Sequence, residues 1–213
     1  MMKQILLIDR EFGAGGSTIG EALAKRLGWK LFDEALSQEV ARLAKIPVQV
    51  CKRREERTDP LLQRLTNLIW RGSLVPHLPS PDLAVLDTDR LVSLVQRVVE
   101  GAAKECPCVI VGRGAPYFLR DRPNRFSVFL YASRDLRFRR VFKRVGDRKE
   151  AARLVDTMDD ERRKFVKHYF GHGWPDRQLF HAMLNTCVGD NSTIETILHL
   201  LSSANRAEEV HSS

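Results

Sequence analysis

The stretch that decides the fold of this chain is residues 4–27, QILLIDREFGAGGSTIGEALAKRL. Apolar residues 5–8 predict a buried strand, and a glycine-rich turn, residues 13–16, follows it. The next residues recur at helical spacing with one apolar face, formed by Ile19, Leu23 and Leu27. A strand, a glycine turn and a helix together predict a phosphate cradle. Glycines let successive N–H groups point inward, and a helix N-terminus carries about half a positive charge.

Six consecutive residues are the candidates for binding phosphate: Gly13, Ala14, Gly15, Gly16, Ser17 and Thr18. Ser17 falls in the first turn of the helix, where its hydroxyl can cap the helix or reach a Mg²⁺ ion that bridges phosphates. The same stretch also fits a tight turn between strand and helix in a Rossmann-like domain, with no phosphate bound.

The loop departs from the Walker A pattern, G-x-x-x-x-G-K-[ST], at two positions. With Ser17 at the last position, Arg10 stands at the first glycine and Gly16 at the lysine. Arg10 is the nearest cation that could replace the lysine, because a guanidinium can hold a phosphate through two hydrogen bonds. The alternative is that Arg10 and Glu11 form only a local ion pair.

Length and charge narrow the class of protein. A chain of 213 residues suits one α/β domain with an inserted lobe, and the net charge of +8 indicates polyanionic ligands. The arginines are spread over several segments without aromatic interleaving, which favours nucleotide phosphates over nucleic acid. No apolar run approaches the roughly 20 residues of a membrane span. We therefore expect a soluble, cytoplasmic protein that binds no membrane.

The cysteines and histidines indicate no metal or disulfide framework. The chain has four cysteines, Cys51, Cys106, Cys108 and Cys187, and their spacing fits neither a paired zinc motif nor a set of disulfides. The six histidines form no ligand-spaced cluster. Reduced thiols and no transition metal are the expectation.

Two charged residues follow predicted strands at positions where open α/β sheets place ligand-binding groups. Asp33 ends the strand predicted for residues 29–33, and it could equally cap the helix that we predict for residues 34–45. Arg113 follows the apolar strand 108–111 and is flanked by glycines. We favour phosphate or base binding by Arg113 over a purely structural turn.

Arginines also follow the strand predicted for residues 125–132. Arg137, Arg140 and Arg144 share one stripe of the next helix, where an anion would relieve their repulsion, although a solvated face is also compatible. Residues 147–169, rich in charge, predict a helix–turn–helix flap over the phosphates.

The remaining segments complete the predicted organisation. Residues 46–87 are expected to form a variable, mostly helical lobe, and residues 88–105 an amphipathic helix. A last strand is expected within residues 183–188. Ser192 is expected to cap a final helix over 193–201, and the polar residues 202–213 are expected to be disordered.

Taken together, these segments resemble the cytidylate kinase-like proteins, a branch of the P-loop nucleoside monophosphate kinases whose glycine loop lacks the lysine. The resemblance covers roughly residues 3–201. The matching segments, in chain order, are residues 9–17, Phe32-Asp33, residues 109–115, residues 131–133 with Arg137 and Arg140, Asp160 with Arg162 and Arg163, and residues 184–186. Within residues 109–115 there is one departure: Gly114 stands where the family's cytidylate kinases have aspartate.

The resemblance implies a three-layer α/β P-loop fold, with a parallel five-stranded sheet flanked by helices. It implies one domain over residues 1–201. Residues 46–87 would form the acceptor-side lobe, and residues 134–175 the lid. The cofactors implied are ATP and Mg²⁺, and the acceptor is a nucleoside monophosphate such as CMP or dCMP.

The resemblance also implies the residue roles. The loop backbone would bind the donor phosphates, Ser17 would hold Mg²⁺, and Asp33 and Arg113 would bind the acceptor. The side chains implied in catalysis are Arg10, Arg113, Arg137 and Arg140, together with Arg162 or Arg163. Because the loop lysine and the aspartate after Arg113 are absent, two alternatives stay open: a non-catalytic, regulatory nucleotide binder, and a kinase for a different small acceptor.

Overall fold

A parallel sheet of five strands organises the chain, and its strand order is β2-β3-β1-β4-β5. The computed structural model describes residues 2–33, 39 and 88–211. In chain order the elements are β1 Ile5–Arg10, α1 Gly16–Leu27, β2 Lys30–Phe32, α2 Thr88–Ala102, β3 Cys108–Val111, α3 Ala115–Phe118, β4 Arg125–Tyr131, α4 Arg134–Val145, α5 Arg148–Phe170, β5 Ala182–Asn185, a 3-10 helix Thr186–Val188, and α6 Asp190–His211.

Strand β1 lies at the centre of the sheet and pairs in parallel with β3 and β4. Its residues from Ile5 to Ile8 have no solvent exposure. A parallel strand covered by helices on both faces needs such a continuous apolar run, which is why the run in the sequence predicts it correctly. The α/β fold with a parallel five-stranded sheet is confirmed.

Alternating side chains of β1 enter two separate apolar layers. Ile5 and Leu7 pack with residues of α2, α3 and the end of α5, including Phe165. Leu6 and Ile8 pack against α1 and α6 on the opposite face. The three layers are therefore helices, sheet and helices, and all carboxyl ends of the parallel strands share one edge.

The charged segment 147–169 forms one continuous helix, so the prediction of a helix–turn–helix there is wrong. Asp147 caps α5 by accepting a hydrogen bond from the N–H of Glu150 at 2.7 Å. No glycine or proline interrupts the helix, and Phe165 and Val166 near its end belong to the core. The earlier part of α5 packs with α4 in a separate apolar cluster that contains Val141. The second half of α5 is therefore a fixed layer of the domain.

The chain end also differs from its prediction. Helix α6 begins at Asp190, before the expected cap Ser192, and continues to His211, so residues 202–211 are helical where disorder was expected. Strand β5 ends at Asn185, whose side chain accepts from the N–H of Cys187 and starts the 3-10 helix. Within the described residues, no helix has both the length and the apolar character needed to span a bilayer.

Three predictions fall wholly or largely outside the described residues: the helix over 34–45, the helical lobe over 46–87, and the possible capping role of Asp33. The described cysteines, Cys106, Cys108 and Cys187, are free thiols.

Candidate phosphate-binding site

The glycine loop between β1 and α1 contains several amide groups for which the described residues provide no acceptor. Gly13 and Gly15 have φ values of 85° and 88°, a left-handed conformation that glycine adopts without steric cost. The turn is closed by a bond from the Ala14 N–H to the Glu11 carbonyl. Within the described residues, no acceptor is found for the amides of Gly13, Gly15, Gly16, Ser17 and Thr18. Such a row is the backbone arrangement that binds a phosphate at a helix N-terminus.

A cleft of about 320 Å³ opens in front of this loop. It is lined by Arg10, Glu11, Phe12, Gly13, Gly15, Gly16, Ser17 and Thr18, by Arg140, Val141, Lys143 and Arg144 of α4, by Arg162 of α5, and by Asp190 of α6. Five of these side chains are cationic and two are carboxylates, so the cleft favours an anion. Ala14 does not line it, because its methyl group is buried in the core.

Arg10 lies in the cleft and is not paired with its neighbour Glu11. The Glu11 carboxylate instead accepts from the N–H of Ala132 at 3.1 Å and lies 3.2 Å from Nε of Arg137. The structure therefore contradicts the alternative of a local Arg10–Glu11 pair. Within the described residues, the Arg10 guanidinium makes no hydrogen bond or ion pair.

Asp159 of α5 holds the loop in place, and no sequence argument had assigned it a role. Its carboxylate accepts from the backbone N–H of Phe12 at 2.8 Å, from Arg137 at 2.6 Å and from Arg162 at 3.1 Å. The signal was present in the sequence: Asp159 and Arg162 stand three residues apart on the same helical stripe as buried Val155 and Met158. A charged pair on an apolar stripe indicates a buried pair.

Arg137 and Arg140 of α4 have different surroundings, although they share one stripe of the helix. Arg137 does not line the cleft; it donates to the carbonyls of Ala132 and Phe12 and bonds Asp159, beneath the loop. Arg140 does line the cleft, and it donates to Thr186 at 2.9 Å and to Asp190 at 2.5 Å. The structure thus places Arg140, and not Arg137, beside the candidate phosphate position.

The two arginines of α5 are also separated. Arg162 is 4% exposed, donates to the carbonyl of Arg10 at 2.8 Å and lines the cleft. Burial, and then the positive charge of Arg10, lower the pKa of Arg162 to about 10, so it stays protonated near neutrality. Arg163 is exposed, outside the cleft, and pairs with Asp160. Of the two candidates, Arg162 is the one that the structure brings to the loop.

The acceptor-side candidates, Asp33 and Arg113, follow the carboxyl ends of the neighbouring strands β2 and β3. Arg113 is half-buried in a turn of three consecutive left-handed residues, with φ values of 73° at Gly112, 59° at Arg113 and 67° at Gly114. A non-glycine residue in this conformation is uncommon and marks a constrained turn. Asp33 is half-buried after β2. Neither residue lines the cleft, so the structure does not bring them together with the glycine loop in one cavity.

The residues present fit a magnesium nucleotide better than a protein-ligated metal. In the described part of the chain there is no group of three or more His, Cys, Asp or Glu side chains that could hold a metal ion. Ser17 is exposed at the second residue of α1 and lines the cleft. Mg²⁺ commonly keeps only one or two protein ligands and takes the others from substrate phosphates and water.

The sheet order, the glycine loop and the cation-lined cleft are those of the P-loop kinase fold. The model of the cytidylate kinase-like family matches residues 5–187, and the chain therefore belongs to that family. Among curated proteins, none matches the chain.

Solved structures support the same fold. An uncharacterized protein from Eubacterium ventriosum ATCC 27560 is 23% identical, with a TM-score of 0.64 over 93% of this chain and 98% of that one. A gluconokinase from Sinorhizobium meliloti 1021 is 14% identical, with a TM-score of 0.60 over 100% and 99% of the two chains. A shikimate kinase from Acinetobacter baumannii, in complex with shikimate, is 17% identical, with a TM-score of 0.54 over 94% of each chain.

Proposed function

We propose that this protein transfers a phosphoryl group from ATP to a nucleoside monophosphate in the cytoplasm, with CMP and dCMP as the first acceptors to test. The observation that carries the proposal is a set of loop amides, those of Gly13 and of residues 15–18, for which no acceptor is found within the described residues and which face a cleft with an excess of positive charge. Membership of the cytidylate kinase-like family supports the reaction class.

On the donor side, the loop amides would bind the ATP phosphates, and the Ser17 hydroxyl would hold Mg²⁺. When bound, magnesium ATP supplies the phosphoryl group and neutralises part of its charge. The chain's own task is to fix the phosphates in line and to stabilise the charge that develops on transfer, because phosphoryl transfer needs little covalent help from a protein.

Arg140 and Arg162 are the proposed stabilisers of that charge. Both are oriented by other groups of the protein, Arg140 by Thr186 and Asp190 and Arg162 by Asp159. Donors that are already oriented need little reorganisation during the reaction, which is the condition under which they lower the barrier most. We assign Arg137 to positioning the loop and give Arg163 no role in the reaction.

On the acceptor side, Arg113 would bind the monophosphate and Asp33 would contribute a hydrogen-bond acceptor. Their support is positional: β2 and β3 are neighbours in the sheet, and both residues follow the carboxyl ends of these strands. In the sequence, residues 34–87 lie between Asp33 and Arg113.

The experiment measures ADP formation from ATP and Mg²⁺ with each nucleoside monophosphate, and with gluconate and shikimate as other small acceptors. The matched variants are Arg113→Gly, since glycine tolerates the φ of 59° at that position, and Arg153→Ala, an exposed residue of α5 that pairs with Glu150. We expect turnover with one monophosphate, a loss of about 100-fold in Arg113→Gly, and no change in Arg153→Ala.

Two other outcomes would replace the proposal. Turnover with gluconate or shikimate alone would make the protein a kinase for a different small acceptor. ATP binding without turnover on any acceptor would favour a regulatory nucleotide binder of the same fold. The absence of a lysine at position 16 is the observation that keeps this second candidate open.

A further inference from the structure

The first residue of α1, Gly16, stands where a Walker A loop has its lysine. The structure shows which side chain occupies the space beside its Cα atom. A Cβ atom built on Gly16 would lie 2.7 Å from Cγ, 3.1 Å from Cδ and 3.3 Å from Nε of Arg10. Real Cβ atoms essentially never approach other heavy atoms within 3.0 Å. The middle of the Arg10 side chain therefore occupies the place where a side chain at position 16 would begin.

The far end of Arg10 reaches a second glycine. A Cβ built on Gly112 would lie 1.8 Å from Nη1 and 2.8 Å from Cζ of Arg10. Gly112 begins the turn that carries Arg113, and its N–H donates to the Ile8 carbonyl of β1. The two glycines thus form a slot through which Arg10 runs from the donor loop to the acceptor-side turn.

The carboxylates closest to Arg10 in the sequence are engaged elsewhere. Asp9 is fully buried and accepts from Nε1 of Trp174 at 2.8 Å and from the backbone N–H of Arg10 at 3.0 Å. Glu11 is bound to Arg137 and to the Ala132 amide. The Arg10 side chain is therefore positioned by packing against the two glycines, and it lines the cleft in front of the glycine loop.

We propose that Arg10, threaded between Gly16 and Gly112, supplies the phosphate-contacting cation of this loop, and that it excludes a lysine at position 16. The Arg10 guanidinium ends at the Gly112 turn, on the acceptor side of the glycine loop. We therefore assign its contact to the phosphoryl group that passes from the donor to the acceptor. This inference rests on the proposed function for its ligand, whereas the mutual exclusion of the two side chains rests on the packing alone.

The packing is tested first, without any ligand, by a double-variant cycle of Gly16→Ala and Arg10→Ala. In the wild-type background, Gly16→Ala should lower the melting temperature, because the methyl group meets the Arg10 stem. In the Arg10→Ala background the same change should be neutral or stabilising, because alanine reduces the conformational freedom of the unfolded chain. Equal effects in both backgrounds would overturn the exclusion.

The ligand role is tested by titrating ATP and Mg²⁺ calorimetrically into the same variants and into Gly16→Lys, alone and combined with Arg10→Ala. We expect Arg10→Ala to weaken ATP binding about tenfold or more, the size of a lost hydrogen-bonded charge contact. Lysine at position 16 should restore binding in the Arg10→Ala background and should weaken it in the presence of Arg10.

The possible failures are distinguishable. Wild-type protein that binds ATP, together with an Arg10→Ala variant of unchanged affinity, would overturn the role of Arg10 and leave the proposed function standing. Wild-type protein that binds no ATP would overturn both. A Gly16→Lys variant that binds ATP more tightly while Arg10 is present would overturn the exclusion of the two side chains.

Discussion

At the scale of single residues, one buried carboxylate connects the glycine loop to arginines of two helices. Asp159 bonds the Phe12 amide, Arg137 and Arg162 together, so it joins the glycine loop to α4 and α5. This carboxylate and Glu11 offset the charge of Arg137, and this carboxylate and Asp9 offset that of Arg162, which lowers the cost of burying the two guanidinium groups. The loop conformation that exposes the amides therefore depends on a residue more than a hundred positions away.

The neighbouring residue provides a matched test of this dependence. Asp159→Asn should lower the free energy of unfolding by about 3 kcal/mol, because it removes the negative charge that Arg137 and the buried Arg162 share. Asp160→Asn breaks an exposed pair with Arg163, also three residues apart, and should cost less than about 1 kcal/mol. Urea unfolding of both variants measures the difference. Equal losses would show that Asp159 has no special role in holding the loop.

At the scale of elements, the sequence predicted those whose signal is local. The apolar run and the glycines sufficed for β1 and α1, and the alternation of strands and helices sufficed for the parallel sheet. Helix α5 could not be read correctly, because its central charges resemble a solvated turn unless their distant partners are known. Phe12 and Arg137 supply those partners only in the folded chain.

The edge strand β5 depends on a neutral histidine immediately before it. Nδ1 of His181 accepts from the Ser127 N–H of β4 at 3.0 Å, which requires that nitrogen to be unprotonated. Burial, followed by the charges of Arg125 and Lys3, lowers the pKa of His181. This connection between β4 and β5 is therefore complete only in the neutral form.

The pH dependence of stability should reveal that histidine. Because the folded-state pKa is the lower one, the unfolded chain binds a proton first as the pH falls. The stability contributed by His181 is fully present above the unfolded-state pKa of about 6.5, and it should be lost as the pH falls from there through the lower folded-state pKa. The urea midpoint of the wild type should then fall more steeply between pH 7 and 5 than that of His181→Gln. Parallel pH profiles would contradict this assignment.

At the scale of the whole molecule, the fold determines which of the candidate arginines lie together in one cleft. It brings Arg10, Arg140 and Arg162 to one cleft, from three separated segments, and leaves Arg137 and Arg163 outside it. All five had equal standing in the sequence, because type and spacing do not reveal which carboxylate each arginine meets. The glycine loop could be nominated from the sequence because its glycines, its strand and its helix are contiguous, whereas the contact from Asp159 that supports it is distant in the chain.

The two ends of the domain are also joined, through the part of α6 where disorder was expected. The Asn205 side chain accepts from the backbone N–H of Lys3 at 2.5 Å and donates to its carbonyl at 3.4 Å, immediately before β1. Leu201, one turn earlier, is buried in the core. Helix α6 is thus part of the folded unit at least as far as Asn205.

Truncation of the chain tests the contribution of the Asn205–Lys3 contact to stability. Deleting residues 205–213 should lower the free energy of unfolding by about 1 kcal/mol or more, through loss of the contacts of Asn205. Deleting only residues 207–213 should change it little, because Asn205 remains. Thermal and urea unfolding of both truncated chains, with Asn205→Ala as the point variant, measure the effect. A large loss from the shorter deletion would place the important contacts beyond Asn205.

The slot between Gly16 and Gly112 also governs how this loop can change over evolutionary time. A lysine acquired at position 16 collides with the Arg10 stem, and loss of Arg10 alone leaves the loop without its central cation. On the proposal made above, each one-step intermediate toward a Walker A loop is impaired, and a paired replacement avoids both. We therefore expect the residues at positions 10 and 16 to change together among related sequences, and an alignment of the family checks this.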